Sequence, residues 1–171
     1  MRKRTLILLA IILGTSFVAL SQAKTKPYFQ QDLKYKIEVR LDDTKHQLKG
    51  VMELDYTNHS SDTLYRFPIH LWANAFKDNS SAFAKQQLED GKTEYYYSKD
   101  SLRGWIDSMH FVINNVAVTY TLDQENIDIA YVGLPKPILP GESIHLKTPF
   151  VVQMPYCFSR IGHDAQQYQV T

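Results

Sequence analysis

Six histidines, one cysteine and a run of three tyrosines are the residues with which this chain could do chemistry. The histidines are His46, His59, His70, His110, His145 and His163. A zinc site needs ligands presented from one side of a rigid element, most simply two histidines one helical turn apart. The residues four after each histidine are Gly50, Thr63, Asn74, Asn114, Pro149 and Gln167, and none is histidine. Strand parity places His110 and His145 opposite the apolar positions of their segments, and so in water. His46 is in phase with an apolar face but opens its strand. The six read as surface histidines, and no metal ligand is assigned.

Cys157 and His163, six residues apart in a loop, are a candidate thiol nucleophile and base by residue type alone. No local signature surrounds them, and a free structural cysteine is the expectation. Asp42-Asp43 and Glu89-Asp90 fall at a turn and near a helix end, where acidic residues are ordinary. The chain has no glycine-rich phosphate loop, G-x-S-x-G elbow or calcium loop, so no catalytic residue is assigned. Tyr95, Tyr96 and Tyr97, with Trp105 nearby, suit either of two roles. They form an exposed aromatic platform for peptide or carbohydrate, or they fold back over a sheet face, which is the role expected of them. Asn58-His59-Ser60 and Asn79-Ser80-Ser81 match the glycosylation acceptor pattern.

The elements that would position these residues are strands. In "YKIEVRL", Tyr35, Ile37, Val39 and Leu41 alternate with Lys36, Glu38 and Arg40; after the polar turn "DDTK", Leu48, Met52, Leu54 and Tyr56 share the next apolar face. Together they predict an antiparallel hairpin with one wet side. "NHSSD" is a second turn, and "TLYRFPIHLW" a more buried strand with Pro68 at an edge or bulge. "SSAFAKQQLEDG" predicts the one helix, with Ser80 as N-cap and Gly91 as stop. Met109, Phe111 and Ile113 alternate up to a tight turn at Asn114-Asn115, and Val116, Val118 and Tyr120 return from it. "IDIAYV" is a further strand, "LPKPILPGES" a proline-rich turn cornered at Pro140-Gly141, and Ile144 to Met154 the last long strand. "QQYQVT" is β-prone and reads as a strand cut mid-course without a partner. Seven or eight strands at this spacing predict an all-β fold: an antiparallel β-sandwich or curved double sheet with one short helix in an insertion.

"MRKRTLILLAIILGTSFVALSQA" reads as a signal peptide. Arg2, Lys3 and Arg4 form the basic start, Leu6 to Leu13 the apolar run, and Ser21-Gln22-Ala23 the cleavage site, with cleavage after Ala23. Gly14, Thr15 and Ser16 interrupt the run before it is long enough to span a bilayer. Residues 24–171 then form one domain, exported to the periplasm, the cell surface or the medium, with no membrane span. The leader holds three of the 19 basic residues and no acidic one, leaving 16 against 18. No cationic stripe remains, which argues against nucleic acid as a partner. A single cysteine permits no internal disulfide.

The order of these features carries a resemblance. "YKIEVRLDDTKHQLKGVMELDYTNHSSDTLYRFPIHLWANAF" contains a Tyr-bearing strand, a turn, an L-x-G strand (Leu48-Lys49-Gly50), an Asn-containing turn (Asn58) and the segment His70-Leu71 to Asn74-Ala75. "LPKPILPGESIHLKTPFVVQMP" adds the proline-glycine corner and a strand ending in proline, and "CFSRIGHDAQQYQVT" the run-in to a T-Q-x-x-P type stretch. From about Tyr28 to Thr171 the chain resembles the N-terminal domain of the aminopeptidase N-like zinc metallopeptidases, cut before their catalytic domain. The resemblance implies a saddle-shaped β domain that walls the active-site cleft of an enzyme removing residues from the amino end of peptides. It implies zinc in the full-length enzyme, held by a later H-E-x-x-H domain that would be this domain's intramolecular partner. A glutamine that holds the peptide's amino group in relatives would fall just past Thr171, so no catalytic, metal or substrate-binding residue is carried over. The rival reading is a self-contained secreted β-sandwich that binds peptide or carbohydrate through the Tyr95–Trp105 loop.

Overall fold

Residues 28–170 are described by a computed structural model. The leader, its cleavage point after Ala23, and Thr171 lie outside the described residues.

The alternating segments pair as their faces require. β1 (Asp32–Asp42) and β2 (Gln47–Thr57) form an antiparallel hairpin in unbroken register from Asp32↔Thr57 to Asp42↔Gln47. On its other side β2 pairs along its whole length with β9 (Ser143–Gln153), from Gln47↔Gln153 to Thr57↔Ser143. β4 (Trp105–Asp107) and β5 (Val112–Ile113) both pair with β9, and β6 (Val116–Ala117) pairs with β5. The sheet order is thus β1-β2-β9-β5-β6, with β1 at one edge. A second antiparallel sheet, in the order β3-β8-β7, joins β3 (Leu64–His70), β8 (Ile129–Ile138) and β7 (Tyr120–Leu122). β10 (Ile161–Asp164) and β11 (Gln167–Val170) form a separate hairpin. Eleven strands and one α-helix stand among the described residues, and the fold is an all-β sandwich.

The core lies where the apolar faces of the two large sheets meet. Leu54, Tyr56 and Leu146 come from the larger sheet, and Phe67, Val132 and Ile138 from the smaller. Each such side chain contributes roughly 1.5–3 kcal/mol by leaving water. A second cluster packs Phe76, Ala84, Tyr95, Met154 and Ile161 beneath the helix.

Two joints fix the path of the chain. At the L-x-G position, a Cβ on Gly50 would lie 2.5 Å from the Glu38 carbonyl oxygen and 2.7 Å from the Phe150 ring, so only glycine lets that ring cross β2. At the proline-glycine corner, Gly141 takes φ +80° and the Glu142 N–H donates to the Leu139 carbonyl at 3.0 Å. That is the turn its sequence demands.

Four expectations are corrected. The helix, α1 (Ala82–Glu89), is capped by Ser81, whose side chain accepts from the Ala84 N–H; Ser80 instead donates its hydroxyl to Asp78 at 2.6 Å. "LPKP" is not turn but the second half of β8. Register runs Leu64↔Ile138 and then Arg66↔Gly133, so the prolines occupy a bulge where no ladder donor is needed. β3 is less buried than its apolar composition predicts, because Tyr65 stands at that register break and faces solvent. The tail has a partner: Gln167–Val170 pairs with β10 from Ile161↔Val170 to Asp164↔Gln167.

Candidate functional site

The smaller sheet does not cover all of the larger one. Beyond Leu54 and Tyr56 the apolar face continues onto Met52 and Leu48 of β2, then onto Ile37 and Val39 of β1, which are 54 % and 55 % exposed. Opposite them run Ile69 to Ala73, where β3 turns into a 3₁₀ turn over Trp72–Phe76. Between lies a cavity of about 330 Å³ floored by Phe111 and Phe150. Its polar groups are already used. Thr148 Oγ1 accepts from the His110 N–H at 3.0 Å and donates to the Pro149 carbonyl, and His70 Nε2 lies 2.9 Å from Asp128 Oδ2. Such a groove suits an apolar surface.

The histidines divide into two kinds. His145, on the polar face as expected, meets Asp55 at 2.7 Å, and His110 is exposed. His46 and His163, by contrast, stack with ring centroids 3.8 Å apart and planes 10° apart. His46 Nδ1 lies 2.6 Å from the Tyr168 hydroxyl, which donates onward to the Asp43 carbonyl at 3.2 Å. Burial, reinforced by the neighbouring His46, holds the His163 pKa below the usual histidine value. This stack clamps the β10–β11 hairpin to the turn between β1 and β2. Sequence reasoning missed it because the two residues approach only through tertiary folding. Their single local hint is that His46 shares the phase of the apolar positions.

Cys157 and His163 are neighbours through the backbone, the Cys157 N–H donating to the His163 carbonyl at 3.1 Å. The Cys157 Sγ is directed instead at the Ser159 carbonyl and Gln169 Oε1, and the His163 ring is engaged with His46, so the two do not form a thiol–imidazole pair. Among the described residues no three His, Cys, Asp or Glu side chains converge as a metal site would require. No helix among them is long and apolar enough to cross a membrane.

The tyrosine run splits. Tyr95 is buried against Phe83 and Phe158, with the Arg103 guanidinium 5.1 Å from its ring centre, and burial pushes its hydroxyl up to about 12. It has the covering role. Tyr96 and Tyr97 meet edge to face, with Tyr97 78 % exposed. Trp105 is half-buried in β4, so a platform along this loop reduces to two rings. Both glycosylation sequons have internal duties. Asn58 is fully buried, and Asn79 bridges Tyr96 and Arg103.

No family model matches the chain, and no curated protein matches it. Solved structures with a similar course include an M1 zinc metallopeptidase from Deinococcus radiodurans, with TM-score 0.44 and 14 % identity over 77 % of this chain and 22 % of that one. A two-domain M1 zinc metallopeptidase mutant bound to L-arginine gives TM-score 0.45 and 14 % identity over 82 % of this chain and 23 % of that one. A mutant of the D. radiodurans enzyme gives 0.44 and 15 % over 72 % and 21 %. The chain spans about a fifth of the length of the structures it matches. A likeness this distant assigns no residue a role here.

Proposed function

We propose that residues 24–171 are the non-catalytic N-terminal β domain of an exported zinc aminopeptidase, a domain that walls the substrate cleft and is inactive alone. The observation that carries this reading is that the residues bearing the resemblance are joints of the frame. Gly50 admits the Phe150 ring, and Gly141 makes the corner. Asn58 donates to the Asp62 and Ile138 carbonyls, and Asn74 donates to the Ile127 carbonyl while accepting from the Ile106 N–H at 3.0 Å. The apolar groove beside β1 supplies a surface for a catalytic domain to cover. In the whole enzyme, zinc held by that domain would polarise the scissile carbonyl and activate water. This domain would limit access and position the peptide.

The test is hydrolysis of alanyl-p-nitroanilide by the purified protein, with metal content by elemental analysis. No turnover and substoichiometric zinc are expected. A polypeptide continuing through an H-E-x-x-H domain regains activity. Robust turnover by residues 24–171, or zinc bound one to one, overturns the reading.

A further inference from the structure

Among the described residues β1 is the edge of the larger sheet, and half of its backbone donors and acceptors face outward with no described strand beside them. It holds eleven residues with no proline, no glycine and no register break against β2. The usual devices that blunt an edge are thus missing except for charge, and the charges stand at every second residue with their signs in uneven order: Asp32, Lys34, Lys36, Glu38, Arg40 and Asp42. Their order decides what the edge accepts.

A second copy of the same strand can pair with it antiparallel about a two-fold axis. To keep Leu33, Tyr35, Ile37, Val39 and Leu41 of both copies on one face, the axis must pass through a residue rather than between two. Centred on Tyr35, the pairing sets Lys34 against Lys36 and Asp32 against Glu38, so all four cross-strand pairs repel. Centred on Ile37, Lys34 meets Arg40 and Asp32 meets Asp42, and these outnumber the favourable Lys36–Glu38 pairs. Centred on Glu38, Lys34 meets Asp42 favourably, but Lys36 meets Arg40 and Glu38 meets itself. Centred on Val39, Lys36 meets Asp42 and Glu38 meets Arg40 with no like pair, but only the seven residues 36–42 overlap, against the nine residues 32–40 about Lys36. Centred on Lys36, Lys34 meets Glu38 twice and Asp32 meets Arg40 twice, with one like pair at the axis. In that register Tyr35 also meets Ile37, and Leu33 meets Val39, on the apolar face. Cross-strand pairs of both kinds stabilise a sheet, and like charges directly opposite destabilise it.

We propose that β1 pairs antiparallel with β1 of a second copy about a two-fold axis at Lys36, joining two sandwiches through one continuous sheet. This edge lies in the plane of the sheet, whereas the groove lies on its face. The inference therefore does not rest on the proposed function.

Sedimentation and light scattering on the exported, purified protein test it. A dimer is expected at micromolar concentration. Glu38→Lys turns both Lys34–Glu38 attractions into repulsions and weakens association about tenfold or more. The charge swap Lys34→Glu with Glu38→Lys restores it. Cysteine cross-linking in a Cys157→Ser background tests the register. K36C faces its own copy and forms a dimeric disulfide, because directly opposed strand residues lie within disulfide reach. E38C faces Lys34 and does not. A monomer at 100 µM (on the order of a thousandfold above a tight dimer's Kd), a dimer indifferent to the swap, or E38C cross-linking in preference to K36C overturns the proposal. Circular dichroism of each variant separates loss of pairing from loss of fold.

Discussion

Replacing Asn58 by alanine removes the pin that holds the two large sheets at one end. The side-chain amide donates to the Asp62 carbonyl at 2.8 Å and the Ile138 carbonyl at 3.2 Å, while its oxygen accepts from the Ser60 N–H at 3.1 Å and the Ser60 hydroxyl at 2.7 Å. The residue is fully buried, so no water replaces these partners. Two of the groups that lose it, the Ile138 carbonyl and the Ser60 N–H, are main-chain groups in buried residues. Leaving a buried polar group unsatisfied costs about 1–3 kcal/mol, so the two together predict a loss of roughly 3 kcal/mol. For a domain of this size that lowers Tm by about 10 °C. Asn58→Asp is worse at neutral pH, because a carboxylate would then face two carbonyl oxygens, and the damage eases as acid protonates it. Urea unfolding monitored by circular dichroism reads both variants, with the slope unchanged if the folded state keeps its surface. A cost below about 1 kcal/mol for Asn58→Ala would show that Asn58 does not join the sheets. So would equal stability of Asn58→Asp and Asn58→Ala at pH 7.

Other outcomes follow from the same geometry. Gly50→Val drives the Phe150 ring off β2 and destabilises by about 2 kcal/mol or more, the order expected of overpacking, read as a shifted urea midpoint. Tyr95→Phe is nearly neutral, since only a 3.4 Å hydroxyl contact to the Asp78 carbonyl is lost, whereas Tyr95→Ala costs about 3–5 kcal/mol by opening a cavity. Equal effects of the two would refute the core role of the ring. His163 has a folded pKa below that of the unfolded chain, so the unfolded state binds the proton more readily. Stability is full above the unfolded value of 6.5 and falls as pH drops through the lower folded value. The carboxylates held low, Glu53 by Lys147 and Glu142 by the Leu139 N–H, titrate below 4.5, so a comparison of pH 7.5 with 5.5 lies above them. His163→Gln flattens that difference. An unchanged slope would mean that the stack does not report on folding.

What was legible in the sequence was whatever is settled within a few residues. Period-two alternation revealed β1, β2 and β9 because each segregates apolar from polar side chains onto opposite faces, though β1 leaves its apolar row exposed, and Asn114-Asn115 gave its turn because both residues take positive φ, 47° and 67°. The cap missed by one residue because Asp78 captures both the N–H and the hydroxyl of Ser80, leaving Ser81 to cap the helix. "LPKP" misled because two prolines exclude a regular ladder but not a bulged one, and only the register against β3 distinguishes these. The tail's partner was hidden for another reason. Its hairpin turns at Ala165 with φ 49°, a conformation alanine does not advertise. The histidine stack and the uncovered groove depend on which faces meet, and no local pattern encodes that.

The face and the edge of β1 pose separate problems, and this separation bears on function. A strand with an apolar row normally buries it beneath a second layer, yet Leu33, Tyr35, Ile37, Val39 and Leu41 are all more than 40 % exposed. A layer laid over the groove would cover Ile37 and Val39 but leave the outward backbone of β1 unpaired. A second copy at the edge would pair that backbone but leave the face open. Neither occupant substitutes for the other, so the two interfaces can be lost independently. Glu38→Lys, on the polar side of β1, should weaken the dimer about tenfold or more while leaving the proposed catalytic domain seated on the groove. Ile37→Asp, on the apolar side, should unseat that domain as well. The pair of variants therefore separates the contact made across the sheet from the contact made along it.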